Sequence, residues 1–468
     1  MKKTKVIIEN LHINGDDGSL IPIKLPKNQQ KSFKDTIQIA VNNIFDGFGG
    51  GKQLLKSKKN VYIKPNGIDT KPYCHTRSEV VEAVIRYFFD AGAENIYIFE
   101  NCTQTGFTRI IFHVLGYTKM CKKTGAKPIY LDEEKVVKEY EFKGSGNEQY
   151  DLSTFGVSET VGRELIDNRD NNLYISLPKL KTHSMAGVTL GIKNQWAFPK
   201  HFDRKFDHNY NLHSKLIDVL EIIQPDFTLI DGVEGTTHGH YPPKALVNDI
   251  VKPFRILIGG QDVIATDLVG ARVFGLGPED VPHLKIAIER NLGVGIKNLD
   301  DIEIIGDLSK FNEKYSYDLV NKFPEDVNII SGKELWCREG CKNNPLSLLQ
   351  IFYLDYNGKG GFDMVAGKGF DLDEIDNLKG PVFVAGHCAI EEVGERLLQR
   401  LGKKKVYFSD GCNNLGQSTA ALCHLMGVNV LDLVPINPFI SVKLLIQAKL
   451  HKTHANIPSF LSKWIKTV

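Results

Sequence analysis

Leu177 to Asn194 reads LPKLKTHSMAGVTLGIKN and gathers Lys179, Lys181, His183, Lys193 and Asn194. The cations follow an apolar run, Leu173 to Leu177, and sit among apolar or small neighbours. Lysine is seldom fully buried, and it binds carboxylate or phosphate as a point charge. The stretch therefore suits an anionic ligand; the other reading is a solvated basic loop. His183 lies in a small-residue turn (Ser184, Ala186, Gly187). Neutral imidazole serves proton transfer and metal ligation alike, so His183 is the first catalytic candidate. His201, His208 and His213 follow it, and no histidine pair there has the i, i+4 spacing of a helical zinc site.

Other chemistry-bearing residues fall at the ends of strand-like runs. Lys64 and Asn66 follow Val61–Ile63, and His75, Thr76 and Arg77 precede a helical pattern. Asp231 closes Phe227–Ile230. Arginine grips a carboxylate as a planar fork, so Lys64, Arg77, Lys179, Lys181 and Lys193 form a candidate anion site with Asn66, Asn194 and Asp231. Like charges that converge depress the pKa of one lysine and make it a base or nucleophile. His75 is a further catalytic candidate. Gly47–Lys52 is no phosphate loop, because Asp46 replaces the first glycine and Gln53 the Ser/Thr. In the last third, Cys337, Cys341, Cys388 and Cys412 offer four thiols. Thiolates hold zinc or an iron–sulfur cluster; the other reading is small buried residues at tight turns. Cys423, inside a helical pattern, reads as core.

These residues need a scaffold, and the pattern supplies one. Short apolar runs alternate with helical periodicity from Asn60 to Gly275, which predicts α/β architecture with a parallel sheet. Ligands in such sheets bind outside the carboxyl ends of the strands. The pattern restarts at Val327, so the division is an N-terminal segment 1–58, a main lobe 59–326 and a smaller cysteine-bearing α/β lobe 327–468, with a cleft between the lobes. Pro381–Gly386 and Lys405–Gly411 read as neighbouring strands that place Cys388 and Cys412 on one sheet edge.

Composition narrows the classes. The 468 residues are 42% hydrophobic and 24% charged, with net charge +2, so no whole-protein basic field favours nucleic acid. No apolar run approaches a membrane span and the first residues turn polar too soon for a signal peptide. The expectation is a cytoplasmic protein with free thiols; homo-oligomerisation stays open.

Residues 59–273 resemble the family called domain of unknown function 362, which contains proteins described as iron–sulfur centre proteins. The resemblance rests on VYIKPN, HTRSEVVEAV, LPKLKTHSMAGVTLGIKN, FTLIDGVEG and GGQDVIATDLVGAR. Many relatives carry a repeated C-x₂-C segment that this chain lacks. The chain is also distantly similar to nickel-dependent lactate racemase, at Cys74–Ser78 and at His183, Met185–Gly187 and Lys193. That likeness implies a carboxylate-holding Arg77, a proton-transferring His183 and a cofactor-binding Lys193. It further implies nickel, or another divalent metal, at His208 or His213. The racemase turn's Asp and its Gly-Gly-Arg before the Lys are missing. The expected function is an enzyme moving a proton on an anionic small molecule, with metal or cofactor assistance. The alternatives are an iron–sulfur or other metal-binding redox protein using the four cysteines, and a non-catalytic binder of an anionic metabolite.

Overall fold

A computed structural model of the chain describes residues 3–13, 17–102, 106–143, 153–200, 211–412 and 414–455. The strands of its first part are β1 (Thr4–Asn10), β2 (Asn60–Pro65), β3 (Asn95–Glu100), β4 (Lys127–Tyr130), β5 (Val136–Glu141), β6 (Thr154–Ser158) and β7 (Asn172–Leu177). Then come β8 (Lys179–His183), β9 (Gly187–Thr189), β10 (Phe227–Thr236), β11 (Val251–Lys252), β12 (Ile256–Gly260) and β13 (Ile302–Ile305). Eleven of them form one sheet whose main path runs β13-β1-β12-β10-β7-β2-β3-β4. β5 and β6 make a separate antiparallel hairpin.

The sheet is mostly parallel, as the alternation of strands and helices requires: β7, β2, β3 and β4 all run one way. β12 reverses against both β10 and β1. Residues 1–58, set apart on sequence, supply β1 to this sheet and the helix Lys27–Asp46 to one face. Alternate residues of each strand serve opposite faces. Val61, Ile63, Ile96, Ile98, Leu173 and Ile175 meet the helices Lys27–Asp46 and Ser78–Asp90. Tyr62, Phe99, Tyr174 and Ile230 meet Leu212–Ile222 and Val263–Val273. Both faces are covered, which is why the strands read as continuous apolar runs.

The last third holds a second sheet of parallel strands, β14 (Val327–Ser331), β15 (Phe362–Ala366), β16 (Val382–Ala385) and β17 (Val406–Ser409), in sequence order. β15 lies in a glycine-rich stretch that showed no strand on sequence. Val428–Leu433, an apolar run that reads on sequence as a further strand of this sheet, instead forms a tight helical turn at Val430–Leu433. Among the described residues no helix is long and apolar enough to cross a membrane.

Candidate functional site

The stretch read as a loop after β7 is itself a strand. Pro178 interrupts the ladder, yet the chain stays extended and β8 pairs with β10 and with β9. Period two then puts Lys179, Lys181 and His183 on one face and Leu180 and Thr182 on the other. All five are buried. Thr182 Oγ1 accepts from Gly239 N at 3.1 Å, which brings the His238–His240 turn over the strand.

The inner part of the row is neutralised. Lys179 Nζ donates to Asp231 Oδ2 and Glu234 Oε2, both at 3.2 Å. Arg77 Nη2 donates to Glu234 Oε1 at 2.6 Å, and Arg77 Nε donates to both Glu234 oxygens. Arg77 N closes the loop on Asp231 Oδ2 at 2.8 Å. Buried ions must be paired to be tolerated. Burial raises the Glu234 carboxyl, but Arg77 and Lys179 outweigh it and hold the pKa below the ordinary range. His75 sits beside this network with its Nδ1 on the Lys71 carbonyl at 2.9 Å. Burial and then Lys179 push its pKa down to about 3, so it is neutral at physiological pH.

Lys181, one step further out, ends on the Cys74 carbonyl at 2.6 Å rather than on a carboxylate. Burial, with help from Lys179 and against Cys74 and Asp69, lowers it to about 8. Burial rather than the neighbouring cations is thus the main cause of the shift, with Lys179 a lesser contributor.

A second group forms at the ends of β2 and β7. Lys64 ion-pairs with Glu100, both fully buried, and also donates to Asn194 Oδ1 at 3.1 Å. Asn66 Nδ2 shares that oxygen at 3.1 Å, while Asn194 Nδ2 donates to the Lys64 carbonyl and Ser176 Oγ. Asn194 thus locks two strand ends together. Lys193 and Asn194 ride on a short helix, Gly191–Asn194. Asp267 holds its first turn by accepting from Gly191 N at 2.7 Å and Ile192 N at 2.8 Å. A side chain at Gly191 would meet Val263 Cγ2 at 2.6 Å and Asp267 Oδ1 at 2.9 Å, so the close approach demands glycine. Burial raises Asp267 to about 7.

At the outer end of β8 the histidines gather. His183 Nδ1 accepts from Met185 N and Ala186 N, each at 3.2 Å. That fixes the tautomer with the proton on Nε2. The His240 ring stacks on it with centroids 3.9 Å apart and planes 6° apart. His213 Nδ1 lies 3.2 Å from His283 Nδ1. Burial depresses His240 strongly, with Lys181 and Lys193 adding to the effect. It takes His213 down to about 4, with Arg338 and Lys193 contributing, and also depresses His283 strongly, with His213 and Lys193 contributing. Lys193 is thus electrostatically close to three imidazoles. Among the described residues, His240 Nδ1, His283 Nε2, Ser184 Oγ, Asn66 Oδ1 and the Gln195 amide are buried with no protein partner. His201 and His208 lie outside the described residues.

The second lobe closes over this end. Arg338 Nε and Asn343 Nδ2 donate to the Ser184 carbonyl at 3.2 and 2.6 Å, and Lys71 ion-pairs with Asp355. Arg338 lies between Cys337 and Cys341, so the cysteine segment touches the His183 turn. Ala385 and Ser409 are paired across β16 and β17, which places Cys388 and Cys412 on one sheet edge as expected. A side chain at Gly386 would meet Cys341 Cβ at 3.1 Å, and Cys341 feels the charges of Cys337, Cys388 and Cys412. Burial pushes Cys337 up to about 11 and Cys341 up to about 12. As placed, no three His, Cys, Asp or Glu side chains among the described residues are grouped to hold a metal ion.

Glu234, Asp267, His240 and His283 were not singled out on sequence. A signal for the first existed: five cations near buried strands require acids, and Glu234 follows Asp231 by three residues. His283 lies in a helix, Pro282–Glu289, with nothing local to mark it.

Residues 61–272 match the family model described as domain of unknown function, DUF362. A thylakoid-associated protein of Synechocystis is 26% identical over 268 residues, which are 54% of this chain and 74% of that protein. A crystal structure of a Thermotoga maritima protein covers 87% of this chain and 93% of its own at 10% identity, with a TM-score of 0.35. That likeness is too loose to assign a fold.

Proposed function

We propose that this chain, whose residues 61–272 carry a domain of the DUF362 family, is an enzyme that holds an anionic small molecule at the outer end of β8 and moves a proton on it. One observation carries the reading. Lys181 and His183 of β8, Lys193, His240 and His283 come from four separate segments, and two of their ring nitrogens, His240 Nδ1 and His283 Nε2, are buried without a protein partner among the described residues. Buried polar atoms in native proteins are satisfied, and an anionic, oxygen-rich ligand would satisfy these.

The roles follow from the geometry. Lys193 and Lys181 supply positive charge in a site screened from water. His183, held as the Nε2–H tautomer by two backbone donors, is a neutral hydrogen-bond donor to a ligand oxygen. This differs from the proton carrier expected on sequence, because taking a second proton at Nδ1 would break both bonds. Lys181, lowered to about 8, is the group matched to proton transfer near neutral pH. Arg77 and Lys179 act through Asp231 and Glu234 by fixing β8 against the His75–Arg77 turn; Lys64, Asn66 and Asn194 fix the adjoining strand ends.

The four cysteines favour a second reading, a redox or metal protein. Their chemistry suits a soft metal or an iron–sulfur cluster, and they converge where the lobes meet. Among the described residues their spacing does not form a coordination group. Nickel or another divalent ion at His213 meets the same limit. A cytoplasmic location is proposed on sequence grounds; the Synechocystis relative is named for its association with thylakoids.

The test incubates the purified chain with small carboxylates and phosphate monoesters in D₂O and follows deuterium uptake by NMR, alongside anaerobic metal analysis. One ligand class gains deuterium, and Lys181→Met stops the gain while Lys193→Ala weakens binding at least about tenfold, the size of one lost charge-assisted contact. Binding without deuterium uptake would favour the non-catalytic alternative. A stoichiometric metal with no exchange would favour the second reading.

A further inference from the structure

The helix Pro438–Leu450 presents two unlike faces. Leu444, Leu445 and Ala448 pack on Ile110 and Ile111 of the helix Thr108–Val114. Phe439, Val442, Ile446 and Leu450 point away from the protein and are 86%, 54%, 55% and 76% exposed. Spacings of three and four residues put these four on one stripe. Scattered apolar residues are normal on a surface; a contiguous stripe marks an interaction site. Lys443 and Lys449 flank it. The last acidic residue of the chain is Asp432, and the 36 residues after it hold Lys443, Lys449, Lys452, Lys463 and Lys466 with no Asp or Glu. The net charge of the whole chain is only +2, so the rest is net negative and this end is a local cationic, apolar surface.

We propose that this face docks on an anionic lipid bilayer, with the helix lying in the plane of the interface. Apolar side chains on a basic helix insert shallowly while the lysines reach the headgroups. A thirteen-residue helix is too short to span, which leaves the in-plane geometry. Charge complementarity selects this occupant over two others. A second copy packed isologously would set Lys443 and Lys449 against their own counterparts. The chain's own final residues would bring Lys463 and Lys466 onto Lys443, Lys449 and Lys452. Both gather like charge, whereas anionic headgroups neutralise it.

The experiment is co-sedimentation of the full chain with two vesicle types, phosphatidylcholine alone and phosphatidylcholine with about one third phosphatidylglycerol. The expected result is binding to the anionic vesicles only, reversed by about half-molar salt. Val442→Glu with Ile446→Glu lowers binding at least about tenfold, as burying charge in place of apolar surface requires. Lys443→Gln and Lys449→Gln lower it about fivefold each. All four positions are exposed, so the urea midpoints of the variants match the wild type and a folding defect is excluded. Failure of the wild type to bind anionic vesicles, or equal binding by the double glutamate variant, overturns the proposal. So does a dimer that the double glutamate variant dissolves in the absence of vesicle binding, or capture of an acidic protein in place of vesicles.

Discussion

Lys181 and Glu234 differ in kind although both are buried and charged. Glu234 is saturated by Arg77 and Lys179, and its work is structural. Glu234→Gln leaves Arg77 short of its counter-charge, and breaking a buried pair from one side costs about 3–5 kcal/mol; urea unfolding should show a loss of that order. Lys181 rests on a carbonyl and titrates near 8. Proton abstraction by it needs the free amine, so the turnover of the exchange reaction should rise with pH and level off above about 8. In Lys181→Arg the inflection should vanish, because a guanidinium does not deprotonate in this range. A pH–rate profile of the two proteins checks both statements.

Sequence legibility was uneven between elements, and β8 shows why. Val61–Lys64, Asn95–Glu100 and Phe227–Asp231 announced themselves, because a strand covered on both faces is an unbroken apolar run. β8 has the same period of two, but its inward positions are Lys179, Lys181 and His183. Polar residues at inward positions erase the apolar alternation by which strands are recognised. Such a strand reads as a loop on sequence, although its cluster of cations and histidine stands out. The cysteine edge was readable because Cys388 and Cys412 stand just past two parallel strands; β15 was hidden by the glycines around it. Pairings such as Lys64 with Glu100, or Asp267 with the Gly191–Asn194 turn, join residues distant along the chain, and nothing local to either partner announces them. The turn itself yields a prediction. Gly191→Ala forces a Cβ to within 2.6 Å of Val263 Cγ2, which should cost about 1–3 kcal/mol and displace Lys193. Ligand affinity should fall more than thermal stability does, as titration calorimetry beside thermal unfolding would record.

In the whole molecule, the second lobe reaches the site through Arg338 and Asn343, and several imidazoles there are buried. His75 titrates at about 3 and His213 at about 4, and His240 and His283 lie well below their ordinary value. Between these values and the ordinary 6.5 the unfolded chain binds protons that the folded chain refuses. Stability is therefore whole above about pH 6.5 and is lost as pH falls toward 4. Asp267, raised to about 7, works in the opposite sense and loses its contribution as pH rises to 7, and the carboxyls of Asp69, Glu133, Glu134 and Glu339, also raised by burial, act with it; the four imidazoles, each moved far from 6.5, outweigh them. The urea midpoint should drop steeply from pH 6.5 to pH 4.5. Lys181 as the titrating cation of an anion site is tested by NMR of lysines ¹³C-labelled at Cε, with its signal assigned by loss in Lys181→Met. The expected result is a titration near pH 8 that moves upward when a small carboxylate or phosphate binds, since a bound anion favours the ammonium form. A Lys181 signal that titrates at the ordinary 10.5, indifferent to every anion offered, would contradict it.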